Sequence, residues 1–251
     1  MQAYELDTLK AQYLDFHYGE KENFGVANFP KKCAELCLET CKENSIALNK
    51  ALDLGCAVGR STFELAKGGF QEVVGIDLSE KFIKVAEELR NKKSMHYTMT
   101  EEGDLVEQNE VSLKSLGLEE FSDRVRFVNQ SASELDFTEF NSFDLVFGGN
   151  LLCRMKKPKD FLKNVHNLLK SGGLFILTSP CTWLCEYTDK EDWVGGFEKD
   201  GKKVTTHDGM KEILSEHFTE VKNPHEVEFV IRETKRKFQH SFAQASYWKR
   251  K

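Results

Sequence analysis

The chain contains 251 residues, 40% of them hydrophobic and 30% charged, which is enough for one large domain with a buried core. Its formal net charge of −6 argues against nucleic acid as a partner. No apolar run approaches the roughly eighteen residues of a membrane-spanning helix, and the N-terminus lacks the pattern of a signal peptide, so we expect a cytoplasmic protein without membrane contact.

The first thirty residues hold an aromatic cluster, and Pro30 opens a predicted helix that runs to about residue 44. Cys33, Cys37 and Cys41 recur every four residues and therefore share one face of this helix. We interpret them as small buried hydrophobic residues, because no histidine or carboxylate joins that face at the spacing of a metal site. The cysteines are expected to be reduced, and no metal is expected.

The middle of the chain alternates between two kinds of pattern. Short apolar runs bounded by turn residues predict strands at residues 50–55, 72–79, 124–131, 142–150 and 174–180. Helical periodicity lies between them at residues 60–69, 80–93 and 159–173. Strands separated by helices of this length predict parallel strands with right-handed crossovers.

Two regions depart from this alternation. Residues 91–123 are polar and weakly patterned, and we expect an insertion there rather than a second domain. The last fifty residues predict a helix near 207–218 and two antiparallel strands at 226–234 and 237–250. The whole chain, residues 1–251, is therefore predicted to be a single domain, with 1–30 as an N-terminal aromatic lid segment.

The stretch ALDLGCAVGRS, residues 51–61, joins the first predicted strand to the helix that follows it. Asp53, Gly55 and Gly59 lie at the carboxyl end of that strand, where open parallel sheets bind their ligands. Glycine permits a sharp turn and a close approach of backbone to ligand. Asp77 ends the second strand, where a carboxylate can accept both hydroxyls of a ribose. The pattern predicts a site for an adenosine-containing molecule.

Two details point away from a dinucleotide. The spacing is G-x-x-x-G instead of G-x-G-x-x-G, and Asp53 would repel a phosphate but suit an ammonium group. This combination resembles class I S-adenosylmethionine-dependent methyltransferases. The resemblance implies a Rossmann-like α/β fold with a mostly parallel seven-stranded sheet, helices on both faces, and S-adenosyl-L-methionine as cofactor. It assigns cofactor binding to Asp53, Gly55, Cys56, Ala57, Gly59, Asp77, Leu78, Ser131, Ala132 and Asn150.

The resemblance also distributes these residues along the cofactor. Asp77 would hold the ribose, Leu78 would pack on the adenine, and Ser131 with Ala132 would meet the adenine edge. Residues 148–150, the sequence GGN, would face the methionine part and the methyl group. The product of the cofactor would be S-adenosyl-L-homocysteine.

The flanking segments are more specific than the glycine turn. YLDFHYG, LTSPCTWLCEYT, WVGG and the tail FVIRETKRKFQHSFAQASYWKR resemble the C-terminal methyltransferase module of ovothiol-biosynthesis proteins, the thiohistidine N-methyltransferases. The resemblance implies that the substrate is 5-thiohistidine and that methylation of its imidazole gives ovothiol A. That module is usually fused behind an iron-dependent sulfoxide synthase. A separate synthase is therefore an expected partner, and the chain is expected to be a free-standing enzyme or an excised domain.

An amino-acid substrate calls for charged partners. Arg232 and Arg154 could bind its carboxylate as bidentate forks, and Glu233 or Asp192 could take its ammonium group. Arg232 and Glu233 alternate along a predicted strand, so only one of them faces a given pocket. Arg154 has the alternative of an ion pair with a surface carboxylate.

The chemistry itself needs a base and a means of orienting the ring. His17 or Tyr18, in the aromatic segment, could close over the site as base or hydrogen-bond donor. Asn150 could orient the ring, and Trp183 could stack on it or be a core aromatic residue. Two wider alternatives stay open: a class I methyltransferase for another small imidazole, amine or thiol, and a methyltransferase-like scaffold subunit without catalysis.

Overall fold

The computed structural model describes residues 7–251, so the first six residues of the predicted lid segment lie outside the described range. The strands are β1 (Lys50–Leu54), β2 (Glu72–Asp77), β3 (Ser94–Glu102), β4 (Leu105–Ser112), β5 (Val125–Asn129), β6 (Phe143–Gly149), β7 (Leu169–Ser179), β8 (Phe197–Lys199), β9 (Lys202–Val204), β10 (Phe218–Arg232) and β11 (Phe238–Arg250). The helices are α1 (Asp7–Tyr18), α2 (Phe29–Glu43), α3 (Arg60–Lys67), α4 (Glu80–Lys92), α5 (Pro158–Asn164) and α6 (Thr206–Leu214).

Seven of these strands form the central sheet in the order β10-β11-β7-β6-β1-β2-β5. Only β11 runs against the others, because it pairs antiparallel with both β7 and β10. The predicted α/β class, with its parallel crossovers and antiparallel C-terminal pair, is confirmed. The chain leaves β1 toward β2 and β5, then returns to place β6 on the other side of β1. This reversal creates a crevice at the carboxyl ends of β1 and β6.

Local sequence signals start the helices on the first face of the sheet. The Asn28 side chain accepts a hydrogen bond from the backbone N–H of Lys31 at 3.0 Å and so begins α2. Ser79 caps α4 through the N–H of Phe82 at 3.3 Å, as predicted. The thiols of α2 lie in the hydrophobic core, which confirms that they are buried small residues: Cys33, Cys37 and Cys41.

The second face is covered by α5 and α6 and has its own apolar cluster. The predicted helix at 159–173 is too long. Helix α5 ends at Asn164, a single turn of 3₁₀ helix follows over Val165–Leu168, and β7 already begins at Leu169. Gly172 and Gly173 therefore lie inside the strand instead of ending a helix.

Residues 91–123 are more ordered than their polar sequence indicates. They form the β3–β4 hairpin and a 3₁₀ helix over Glu119–Arg124. Met95, Tyr97 and Met99 alternate along β3 and point into the core, while the residues between them are polar. Three apolar positions in a polar stretch are a weak signal, which is why the sequence did not predict the hairpin.

Helix α1 packs on α2, β3 and β10, so the described part of the aromatic segment is packed into the domain. Phe16 and Phe29 lie against Phe229 of β10 with ring centroids 6.1 Å and 4.9 Å from it. Tyr13 contacts Phe82 of α4 at 4.7 Å. Within residues 7–251, none of the helices has the length and apolar character needed to cross a membrane.

Candidate cofactor and acceptor site

The turn after β1 has a backbone conformation that favours glycine at two positions. Gly55 has φ +73° and Gly59 has φ +91°. A Cβ on Gly59 would lie 2.6 Å from the Phe127 ring, so a side chain has no room there. The N–H groups of Gly55 and Cys56 both donate to the carbonyl of Ile76, at 2.8 Å and 3.0 Å, which ties the turn to the end of β2.

Asp77, at the end of β2, is held by the backbone on both sides. Its Oδ2 accepts the N–H of Ala57 at 2.9 Å and its Oδ1 accepts the N–H of Ser79 at 2.8 Å. These two bonds fix the plane of a half-buried carboxylate beside the glycine turn. The next residue, Leu78, is 53% exposed and offers an apolar surface beside it. The arrangement is suited to a ribose diol with a flat base next to it.

The turn after β5 adjoins the same place. The N–H of Gln130 donates to the carbonyl of Asp77 at 3.0 Å. Ser131 then caps a 3₁₀ turn that begins at Ala132, its hydroxyl accepting the N–H of Ser133 at 3.3 Å. The structure therefore brings the two predicted adenine-edge residues next to Asp77.

Asp53 is buried at the end of β1, with 1% of its surface exposed. Its Oδ2 accepts hydrogen bonds from the hydroxyls of Ser61 and Thr62, both at 2.7 Å, while Oδ1 has no partner among the described residues. Burial raises the pKa of this carboxyl from its usual 3.8 to about 6, although the two hydroxyls oppose the shift. A buried acceptor without a donor fits the ammonium group of an amino-acid ligand.

The end of β6 completes the crevice. Gly148 pairs in register with Leu54 of β1, so the GGN sequence continues beside the glycine turn. A Cβ on Gly55 would lie 3.3 Å from the side chain of Leu151. Asn150 has φ +53°, a conformation that asparagine adopts more readily than most residues. The predicted cofactor residues in the turn after β1 and those at the end of β6 thus lie side by side at the carboxyl edge of the sheet.

The end of α1 lies on the glycine turn. The Tyr18 hydroxyl donates to the carbonyl of Val58 at 2.7 Å, and Nη1 of Arg60 contacts the carbonyl of His17 at 3.4 Å. Burial raises the pKa of Tyr18 well above its usual value, so the hydroxyl keeps its proton. This corrects the prediction of Tyr18 as a base: its hydroxyl attaches α1 to the turn.

His17 is also buried, with 5% of its surface exposed. Its Nδ1 has no hydrogen-bond partner in the described part of the chain. Burial, with a contribution from the Arg60 cation, lowers the pKa of His17 from its usual 6.5 to about 3. The imidazole is therefore neutral in the free protein, and its Nδ1, next to the turn, is left to accept a hydrogen bond.

Two predicted substrate residues at the end of β10 have partners within the protein. Arg232 forms a short ion pair with Glu107 of the β3–β4 hairpin and lies 3.9 Å from Asp15 of α1. Glu233 pairs with Lys237 at 2.5 Å. The Arg232 contacts join β10 to the β3–β4 hairpin and to α1, and the Glu233 contact lies within the turn between β10 and β11, which corrects the prediction of Arg232 and Glu233 as substrate ligands.

Asp192 and Trp183 likewise have internal partners. Asp192 pairs with Lys157 at 2.5 Å. The Trp183 indole is buried, and its Nε1 donates to the hydroxyl of Thr206 at 2.8 Å. Trp193 stacks on it with a centroid distance of 6.3 Å. Trp183 is therefore a core aromatic residue, which was the alternative interpretation, and the prediction that it stacks on the substrate is wrong.

Arg154 differs from Arg232 because it makes no ion pair with the acidic residues of the described chain. Nη1 donates to the carbonyls of Thr182 at 2.9 Å and Cys153 at 3.2 Å, and Nη2 donates to the Thr182 hydroxyl at 3.1 Å. The guanidinium lies 4.6 Å from the ring centroid of Tyr187. The alternative of a surface ion pair is wrong, and the cation stays uncompensated in the loop that follows Asn150.

Sequence reasoning missed the residues that support this edge. Thr182 and Tyr187 hold Arg154, Arg60 contacts the end of α1, and Thr178 bonds to Asn150 at the end of β6. Each of these contacts joins segments distant in sequence, so no local pattern marks it.

Fold and site together define a class of protein: a doubly wound domain whose switch point is built for a nucleoside with an amino-acid end. Residues 52–177, just over half of the chain, match the family described as "Methyltransferase domain", and the chain belongs to this family. The chain therefore contains an S-adenosylmethionine-dependent methyltransferase domain, and the resemblance at the level of this class is confirmed.

Known proteins agree with this assignment. The chain is 30% identical to the tRNA U34 carboxymethyltransferase of Vibrio cholerae over 126 residues, which are 50% of this chain and 30% of that protein. It is 22% identical over 207 residues to the probable S-adenosylmethionine-dependent methyltransferase CRG1 of Saccharomyces cerevisiae, covering 77% of this chain and 59% of that protein. The chain thus spans less than two thirds of the length of either relative.

Among solved structures, magnesium protoporphyrin IX methyltransferase from Synechocystis with bound S-adenosylhomocysteine has a TM-score of 0.61. The similarity covers 100% of this chain and 97% of that chain at 15% identity, so it supports the fold. The family supports S-adenosyl-L-methionine as the cofactor, and the buried Asp53 and the backbone-held Asp77 lie at the switch point where it would bind.

Proposed function

We propose that this methyltransferase acts on an imidazole nitrogen of 5-thiohistidine and produces ovothiol A, with a separate sulfoxide synthase supplying the substrate. The flanking segments that resemble the thiohistidine enzymes suggest the acceptor. The observation that carries the proposal is Arg154, an uncompensated guanidinium four residues after Asn150, because a small acceptor with a carboxylate supplies the counter-ion that the chain does not.

In this proposal the cofactor lies across the ends of β1, β2 and β5. Asp77 accepts hydrogen bonds from the ribose hydroxyls, and Leu78 packs on the adenine. Oδ1 of Asp53 accepts from the ammonium group. Ser131 and Ala132 meet the adenine edge, and the backbone of the glycine turn borders the methionine part. The cofactor supplies a methyl group bound to a sulfonium sulfur, which is electrophilic.

The geometry of Arg154 fits a carboxylate. A guanidinium has five N–H groups, and three of them are used on Thr182 and Cys153. The remaining two, on Nε and Nη2, point along the same edge of the planar group. Two parallel N–H groups bind both oxygens of a carboxylate, which gives orientation as well as affinity. Tyr187, under the guanidinium plane, keeps that edge in place.

His17 is the proposed base. A thiohistidine ring near neutral pH is an imidazolium–thiolate, so one ring nitrogen must lose its proton before it attacks. The neutral Nδ1 of His17 takes this proton, and the nitrogen lone pair forms a bond to the methyl carbon while the electrons of the breaking carbon–sulfur bond return to sulfur. The negative sulfur of the substrate favours the imidazolium form of His17 and so raises its pKa when substrate is bound.

The test is a methylation assay that compares three acceptors: 5-thiohistidine, the same ring without the carboxylate, and histidine. We expect a product heavier by one CH₂ from thiohistidine, and none from histidine. Equal turnover of histidine would contradict thiohistidine as the specific acceptor. So would the absence of thiohistidine turnover by a protein that binds S-adenosylhomocysteine. In either case the acceptor would be another small imidazole, amine or thiol.

Arg154→Gln tests the carboxylate contact. A hydrogen-bonded charge pair contributes about 1.5–3 kcal/mol, so the KM for thiohistidine should rise about ten- to a hundred-fold. The decarboxylated acceptor should be turned over equally by wild type and variant. Arg236→Gln is the matched control, because Arg236 pairs with Glu102 at a hairpin tip with 72% of its side chain exposed. A KM that rises equally in both variants would contradict the role of Arg154.

A further inference from the structure

Asn150 is joined to Thr178 of the neighbouring strand by three hydrogen bonds. Its backbone N–H donates to the Thr178 carbonyl at 2.9 Å and to the Thr178 hydroxyl at 3.1 Å, and its side-chain Oδ1 lies 3.2 Å from the same hydroxyl. Thr178 pairs in register with Gly149 and is 1% exposed. Water therefore does not compete for this hydroxyl.

The direction of the bond between the two side chains follows from their chemistry. Oδ1 of Asn150 carries no proton and can only accept, so the Thr178 hydroxyl is the donor in this contact. The oxygen of the same hydroxyl accepts the backbone N–H of Asn150, so both the proton and a lone pair of Thr178 are used on Asn150.

We infer that Thr178 is a positioning residue for methyl transfer: it holds the carboxamide oxygen of Asn150, so that the NH₂ group is what Asn150 presents to the acceptor. This orientation excludes Asn150 as the base, because an NH₂ group only donates. It selects an acceptor with an electron-rich atom beside the attacking nitrogen. In thiohistidine, on which this last step rests, the thiolate sulfur is such an atom.

Three variants separate this role from a merely structural one. Thr178→Val keeps the shape and the backbone carbonyl but removes the hydroxyl, Thr178→Ser keeps the hydroxyl, and Asn150→Asp replaces the NH₂ donor by an acceptor. The first readout needs no acceptor: it is the side-chain NH₂ signals of Asn150 in NMR spectra of ¹⁵N-labelled protein, assigned by their loss in Asn150→Asp. We expect them to shift in Thr178→Val and to stay in place in Thr178→Ser.

The second readout is turnover. Removing a hydrogen bond that orients a contacting group should lower kcat for thiohistidine about ten-fold in Thr178→Val, and Thr178→Ser should recover most of it. Asn150→Asp should lower kcat at least as much, because its carboxylate repels the thiolate. The Kd for S-adenosylhomocysteine should change less than two-fold in Thr178→Val and Thr178→Ser.

Unchanged NH₂ signals in Thr178→Val, or a kcat within two-fold of wild type, would overturn the inference. So would a loss of activity in Thr178→Val that the serine variant does not recover. If the wild type itself does not methylate thiohistidine, the proposed function fails, while the NMR comparison still decides whether Thr178 orients Asn150.

Discussion

The buried carboxylate of Asp53 predicts that cofactor binding depends on pH. Its Oδ1 has no donor within the described chain, and we expect it to bind the ammonium group of the cofactor in the ionised form. Burial raises the pKa of Asp53 to about 6 in the free protein. Because this pKa is raised, affinity should be full above pH 7 and should fall as the pH drops through 6.

The size of the effect follows from the ionised fraction. With a pKa of about 6, half of the protein is competent at pH 6 and about a tenth at pH 5, so the Kd should rise about ten-fold between pH 7.5 and pH 5. His17 does not contribute to the change in Kd between pH 7.5 and pH 5, because burial lowers its pKa to about 3 and the imidazole stays neutral over this range. Isothermal titration with S-adenosylhomocysteine across this range measures the Kd directly.

Asp53→Asn replaces the carboxyl group that titrates by a carboxamide that does not. Its carboxamide can still accept from Ser61 and Thr62, but it presents an NH₂ group to the ammonium, so the Kd at pH 7.5 should rise about ten- to a hundred-fold and vary little with pH. Asp144→Asn is a matched control, because Asp144 is buried at the opposite edge of the sheet and pairs with Lys170. A Kd for wild type that is constant from pH 5 to 7.5, or an equally steep profile in Asp53→Asn, would refute the reasoning.

Three further predictions concern the same edge of the sheet. Asp77→Ala should raise the Kd for S-adenosylhomocysteine about thirty-fold, because it removes an acceptor worth about 2 kcal/mol; an unchanged Kd in calorimetry would show that the ribose binds elsewhere. Gly59→Ala should lower the free energy of unfolding in urea by about 2 kcal/mol or more, since its Cβ meets the Phe127 ring and its φ is +91°. Tyr18→Phe should cost about 1–2 kcal/mol in the same assay by leaving the Val58 carbonyl without its donor, and a stability equal to wild type would contradict that contact.

The cofactor half of the site was accessible from sequence because its residues lie close together along the chain. Gly55 and Gly59 occupy positions with positive φ, and this requirement is visible as glycine in the sequence. Asp77 ends a strand whose pattern is clear, and the ends of adjacent parallel strands meet at one edge. Local rules therefore predicted that these residues lie at one edge of the sheet.

The acceptor half was predicted less well. Arg232 and Arg154 are chemically the same, and the sequence favoured both as carboxylate ligands. Arg232 meets Glu107, a residue 125 positions away, through a hairpin that the polar sequence of 91–123 did not predict. The Tyr18 hydroxyl donates a hydrogen bond to the carbonyl of Val58, 40 residues away. Such partners depend on which segments meet in space.

The sequence by itself determined the α/β class, the position of the switch point and the acidic and glycine residues around it, because periodicity and turn chemistry are local properties of the chain. Only the tertiary structure decided which polar groups are satisfied within the protein and which are left for a ligand. Arg232 lies against two carboxylates, whereas Arg154 makes no ion pair, and Nδ1 of His17 and Oδ1 of Asp53 have no hydrogen-bond partner among residues 7–251. Burying a polar group without a partner is costly, so we expect the ligands to bind at the unsatisfied atoms of Asp53 and His17.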